Sequence, residues 1–412
     1  MINKRQLIIL IFICTLSTKL QRLFSLTSGA CKEDGWLVLL ALGAVDVLFM
    51  LLALWFFNKF NSKMSFFAVL EKFYGKFLAR ALMFFIGVYF FLTAVLPFEA
   101  IHDLFSNMLF NQIEYHYFGL IFLVVIIFMA IKGIQAIGRT GEIFVSVITI
   151  GLVCVLLLGF FTADFSKLLP IGQSDFNVLI KEALLNSMWF GDFLLLFFLT
   201  GKVSLKENEK LKWSIILPHG VLAILVVPFS YAIFEALYEN LSGFQTNAIS
   251  SLTQFSLLSF DLGRWDWYFV LLEQISTIIA AAVFILAAGE AICLSFNIKK
   301  PGIVIAVIGG LLFTLDSSVF RDINASAYGY RELFYVFGAI VNYAFPLFFT
   351  LCGNFVKPQG ATKICKEVGN DRIKLATKGI KQKLQKTAKK DEKVRKNRKK
   401  WLINAQNGEG TL

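Results

Sequence analysis

With 412 residues, 57% of them hydrophobic and only 17% charged, the chain is too apolar for a soluble protein of ordinary composition. Its net charge of +12 sits at the end: from Lys357 onward there are 17 Lys/Arg against 5 Asp/Glu, and the body before it is balanced. That distribution excludes a basic nucleic-acid-binding body, and repeated apolar runs of about 20 residues define a polytopic α-helical membrane protein.

Ten spans follow in order, near 6–28, 36–57, 80–98, 117–131, 142–161, 178–199, 213–238, 265–296, 301–316 and 332–356. They divide the chain into a ten-helix transmembrane domain, 1–356, and a basic cytoplasmic tail, 357–412. The start, Met1 to Arg5 followed by an apolar run, has the charged and apolar regions of a signal peptide but no small-residue cleavage site. It reads as a retained first helix. That helix is interrupted by Ser17-Thr18-Lys19-Leu20-Gln21-Arg22.

The connections alternate in charge. Lys4-Arg5, the stretch from Lys59 to Arg80, Lys132 with Arg139, the lysines from Lys202 to Lys212, and Lys299-Lys300 fall on one side. The other side has few cations, so the positive-inside rule places both termini in the cytoplasm, as an even number of spans requires. Phe98–Phe110 and Gln245–Leu258 outside, and Ser65–Arg80 inside, read as amphipathic interfacial pieces. Arg264-Trp265-Asp266-Trp267-Tyr268 reads as an interfacial aromatic belt at the start of span eight.

Span six carries the sharper signal. Between Val178 and Leu199 the apolar run is broken by Asn186-Ser187-Met188-Trp189-Phe190-Gly191-Asp192. Hydrocarbon offers no partner for freed backbone groups, so such a break belongs where it is buried or lines a cavity. Ionisable groups at this depth are functional suspects. With ten spans, the sixth opens a second set of five and corresponds to the interrupted first. Two five-helix repeats of opposite topology with discontinuous helices 1 and 6 make a LeuT-like inverted repeat, its site at the paired breaks.

No enzyme is expected: His102, His116 and His219 lack the spacing of a zinc helix, and Gly138-Arg139-Thr140-Gly141 lacks the ending of a phosphate loop. The six cysteines show no C-x-x-C pair, so neither a disulfide framework nor a metal site is implied. No cofactor is expected. Polar groups in apolar runs remain: Asp46, Glu99 with Asp103, Glu142, Asp192, Glu235, Glu273 and Glu290, with Lys19 and Arg22 in the first break. Asp46, Glu142 and Glu235 also fit positions near wet ends. Lys19 or Arg22 is placed to neutralise Asp192, and a charge or proton relay is expected among Lys19, Arg22, Glu99, Asp192 and Glu290.

Several marks occur together in chain order: Asp34-Gly35-Trp36 at the start of span two, Phe98-Glu99 after span three and Leu168-Leu169-Pro170 before span six. Phe190-Gly191-Asp192 follows, and then Ser251-Leu252 with Phe255 and Arg264. In these the chain resembles the permease-like B subunit of spore germinant receptors, within the amino acid/polyamine/organocation superfamily. It departs from the family in the first break, where Leu16-Ser17-Thr18 stands for a Gly-x-Gly and Leu23 for a Pro. The resemblance implies a protein of the spore inner membrane that binds a small germinant, such as an amino acid. It would act with two other receptor subunits, a membrane-anchored A-type and a lipoprotein C-type.

The binding residues expected are Ser17, Thr18, Ser187, Met188, Trp189, Phe190 and Gly191. The basic tail is expected to meet anionic lipid, not nucleic acid. A proton-coupled transporter of amino acids or organic ions is the alternative, and a scaffold without ligand binding a third reading.

Overall fold

The structure, a computed structural model, describes residues 1–60, 65–104, 115–204, 211–245, 248–259, 266–316 and 336–345. The basic tail, the end of the Phe98–Phe110 piece, and Arg264 with Trp265 lie outside the described residues. All regular structure among the described residues is helical. The first span is two helices, α1 (Lys4–Lys19) and α2 (Leu23–Cys31), followed by α3 (Gly35–Phe60), α4 (Phe66–Asp103), α5 (Tyr115–Lys132) and α6 (Ile134–Thr162). The sixth span is α7 (Phe176–Leu185), a 3₁₀ turn at Asn186–Trp189, and α8 (Asp192–Thr200). Then come α9 (Leu217–Val221), α10 (Val227–Tyr238), α11 (Ala248–Ser259), α12 (Asp266–Phe296), α13 (Pro301–Leu315) and α14 (Val336–Phe345). Each expected span therefore falls on helix, the tenth over 336–345 only.

Two boundaries differ from the expectation. The Ser65–Arg80 piece and span three meet earlier than expected, at Gly75 (φ 75°), whose kink divides α4 (Phe66–Asp103) into two helices. A positive φ is open to glycine at no steric cost, which is why the direction of the chain changes there. Glu99 consequently lies inside this helix rather than after it. The 245–258 piece forms α11, shifted to Ala248–Ser259.

The layers sort by burial. Every residue of α8 is buried, and so are most of α1 and the second half of α12. By contrast, α5 and α6 expose Ile121, Phe128, Ile143, Ile150 and Phe161. In a membrane protein that apolar outer face is the one lipid covers. Helix α12, about 46 Å long at 1.5 Å per residue, packs along α4 and touches α1, α5, α6 and α13. The broken helices thus occupy the centre, and intact helices form the wall.

The start of the chain is pinned beneath this centre. Asn3 and Gln6 form a reciprocal cap, Gln6 N–H donating to Asn3 Oδ1 (2.7 Å) and Asn3 N–H to Gln6 Oε1 (3.1 Å). Ile2 pairs with the end of α8, its N–H donating to the Lys202 carbonyl (3.0 Å) and its carbonyl accepting from Ser204 N–H (2.8 Å).

Candidate functional site at the paired helix breaks

Helix α1 ends because its last turn turns polar. Thr15, Ser17 and Thr18 spend their hydroxyls on carbonyls one turn back, Ile11 O (2.8 Å) and Cys14 O (3.2 and 2.8 Å). Such back-bonding bends helices. Leu20 to Arg22 then interrupt the helical run before α2 begins. Ser17 and Thr18 are therefore still helical, and the break proper starts after Lys19.

In the second break, the turn Asn186–Trp189 passes through Phe190 and Gly191 before α8 begins at Asp192. Gly191 has φ −110°, which any residue adopts, so its role is one of space. A Cβ there would run into the Tyr89 hydroxyl and lie 2.7 Å from Asn342 Oδ1. Tyr89 in turn donates to the Met188 carbonyl (3.1 Å), and Asn342 Nδ2 donates to the Ser187 carbonyl (2.6 Å). The orphaned carbonyls of the turn are thus satisfied from α4 and α14, as a buried break requires.

The two breaks meet through charge. The Lys19 ammonium is paired with Asp192 Oδ2 and lies 3.4 Å from Asp46 Oδ2 in the middle of α3. It also stands 4.7 Å from the centre of the Phe190 ring. His219, beside Pro218 in α9, places Nε2 3.1 Å from Asp46 Oδ2 and Nδ1 3.5 Å from Asp192 Oδ2. Thr15 Oγ1 lies 2.9 Å from His219 Nδ1 and 3.2 Å from Asp192 Oδ2, as well as bonding Ile11 O. One hydroxyl proton cannot serve three acceptors, so the His219 tautomer decides how this network is wired.

All five side chains are buried. One ammonium faces two carboxylates, and His219 is a second cation-capable group within reach of both. Asp46, Asp192 and His219 also bring three ligand atoms within 4.8 Å of one another, a set able to hold a cation. Lys19 already supplies positive charge to both carboxylates.

Adjoining this cluster at Asp192 is a small cavity lined also by Thr18, Tyr89, Met188, Trp189 and Gly191. It has room for about one water-sized group. The Trp189 indole N–H is buried and has no hydrogen-bond partner among the described residues.

The expected residues separate accordingly. Thr18, Met188, Trp189 and Gly191 line this cavity, Phe190 covers Lys19, and Ser187 contributes its carbonyl to Asn342. Ser17 faces a different cavity, against α6 and α12. Arg22 pairs with Glu99, not with Asp192. Glu290 pairs with Lys202, whose ammonium lies 4.0 Å from the centre of the Phe198 ring. These pairs sit apart from the central cluster, because each carboxylate is claimed by a cation of its own level. Asp46, His219, Thr15, Tyr89 and Asn342 are the members that the expected relay and binding set leave out.

Helices interrupted in pairs around a buried polar centre, within an envelope of apolar spans, define a permease-like integral membrane protein of LeuT-type fold. The chain is similar to the solved structure of MhsT in complex with L-phenylalanine, with a TM-score of 0.57 over 86% of this chain and 97% of that one. At 12% identity, that likeness is one of fold. No curated protein matches. Residues 1–324 match the family model of spore permeases, described as spore germination protein, and the chain belongs to that family.

Proposed function

We propose that the protein is the permease-like subunit of a spore germinant receptor and binds a small germinant, an amino acid or a similar molecule, between the two breaks. One observation carries the reading: a cavity lined by Thr18 of the first span and by Met188, Trp189 and Gly191 of the second break also touches Asp192, whose pair with Lys19 joins the breaks. A ligand entering there meets the last turn of α1 and the second break at once. The cavity as it stands admits only about one water-sized group, so ligand binding requires the breaks to part. Ligand then favours the parted state by as much as its affinities for the two states differ. MhsT, which shares the fold, was solved with L-phenylalanine, and this supports an amino-acid-sized ligand.

In this reading the ten-helix domain, 1–356, lies in the spore inner membrane with both termini cytoplasmic. It works with a membrane-anchored A-type subunit and a lipoprotein C-type subunit, and the basic tail, 357–412, rests on anionic lipid.

Thermal unfolding of the purified protein with amino acids, nucleosides and sugars tests this. One class of compound should raise the melting temperature of the parent and leave Trp189→Ala unmoved. No shift with any compound, or equal shifts in parent and variant, removes the site from between the breaks. Uptake into liposomes then separates the transporter alternative, which predicts that the protein alone moves the stabilising compound.

A further inference from the structure

A second cavity, of about 30 Å³, lies on the opposite side of α1 and shares no lining residue with the first. Its walls are mostly aliphatic, with Leu16 and Leu20 of the first span, Leu152 and Val155 of α6, and Leu272 of α12. The one charged group in the wall is Glu273, 8% exposed.

Glu273 is only half satisfied. Its Oε2 accepts from the Ser250 hydroxyl (3.0 Å), while Oε1 has no hydrogen-bond partner among the described residues. Of the neighbouring polar groups, the Gln21 amide also reaches the Glu273 carboxyl, and the rest are committed elsewhere. Ser276 and Thr277 donate to the Glu273 backbone carbonyl (2.7 and 2.9 Å), and Gln21 Nε2 donates to Thr277 Oγ1 (2.6 Å). Ser17 donates to Cys14 O. Among the described residues no Lys, Arg or His forms an ion pair with Glu273, unlike Asp192, Glu99 and Glu290. A buried carboxylate without a cation is strongly unfavourable, and here an open space adjoins it.

The walls decide what kind of cation fits. A metal ion needs a shell of six or more oxygens, whereas this cavity offers one carboxyl, one hydroxyl and one amide among Leu, Val, Ile and a Phe ring. An ammonium carries three N–H donors, for which Glu273, the Ser17 hydroxyl and the Gln21 amide oxygen in the same lining offer acceptors, and it tolerates hydrocarbon around its carbon. The volume accepts about two water-sized groups, the size of a methylammonium or of the charged end of a short amine. We propose that this cavity is a binding site for a small aliphatic ammonium, with Glu273 as its counter-ion. The site does not depend on the cleft between the breaks, and its occupant would fix the end of α1 against α12.

Methylammonium chloride is the probe. The purified full-length protein is melted at constant ionic strength in methylammonium, tetramethylammonium, sodium and potassium chloride. A saturable rise of several degrees with methylammonium alone is expected, since tetramethylammonium exceeds the cavity. Equilibrium dialysis with radiolabelled methylamine should show about one site per chain. Glu273→Gln should abolish binding, and Glu273→Asp, which keeps the charge but withdraws it, should weaken binding at least about tenfold. The second variant decides the matter if the first does not fold. The same rise with sodium or potassium, no rise with methylammonium, or full affinity in both Glu273 variants overturns the proposal.

Discussion

The two interrupted helices meet at one place but are made of opposite materials. The first break is ionic: Lys19 ends α1 and reaches across to Asp192 and Asp46, and Arg22 reaches to Glu99. The second is a neutral turn of amide, sulfur, indole and glycine, whose carbonyls are held by Tyr89 and Asn342. The difference assigns separate tasks. Charge ties the breaks together, and its loss should loosen the whole junction. The neutral turn shapes the space beside it, and changes there should act through fit.

The largest expected effect is at the tie. Lys19→Met leaves two carboxylates buried without that ammonium, and breaking a buried pair by removing one partner costs about 3–5 kcal/mol. A collapse of the melting temperature or of monodisperse yield is expected. Adding Asp192→Asn should recover part of the loss, since the pair is coupled. A single variant that melts like the parent contradicts the tie.

Next comes fit at the turn. Gly191→Ala should destabilise by about 1–3 kcal/mol, the range for overpacking, because its methyl group meets the Tyr89 hydroxyl. Tyr89→Phe removes that oxygen and should return part of the loss in the double variant. Additive losses would show that Gly191 acts through something other than this contact.

Arg22→Gln should cost less than half as much as Lys19→Met, because Arg22 is 18% exposed and water screens its pair with Glu99. The smallest effect belongs to Lys167, whose pair with Glu239 (2.7 Å) is exposed on both sides. Its hydrogen bond to Glu239 raises the Lys167 ammonium above its usual value. Any contribution is therefore complete at neutral pH and is lost only as pH rises through that raised value. Lys167→Ala should melt with the parent at neutral pH, and a clear drop would show that this pair matters more than its exposure allows.

How far the sequence reveals this site depends on the kind of signal each residue carries. Both breaks are legible because polar residues interrupt runs that hydrocarbon should cover, and Lys19 and Asp192 stand out as charges at depth. Asp46 carries the same signal, lying near the middle of α3, yet it also fits a wet helix end, and only packing separates the two. His219 is invisible to a search for metal spacing, since its partners come from α1, α3 and α8. Tyr89 and Asn342 carry no local signal, because their role is to satisfy carbonyls about 100 and 155 residues away in sequence. Spacing alone does not show the partner of Glu290, which the expected relay includes. Glu290 is held by Lys202, in a pair separate from that of Lys19 with Asp192.

The central claim is that one ligand engages both breaks. Hydrogen–deuterium exchange on the purified protein, with and without the compound that raises its melting temperature, tests it most directly. Peptides covering residues 17–22 and 186–192 should gain protection together, at the same half-saturating concentration. Protection of one break without the other, or protection confined to regions remote from both, would contradict a shared site.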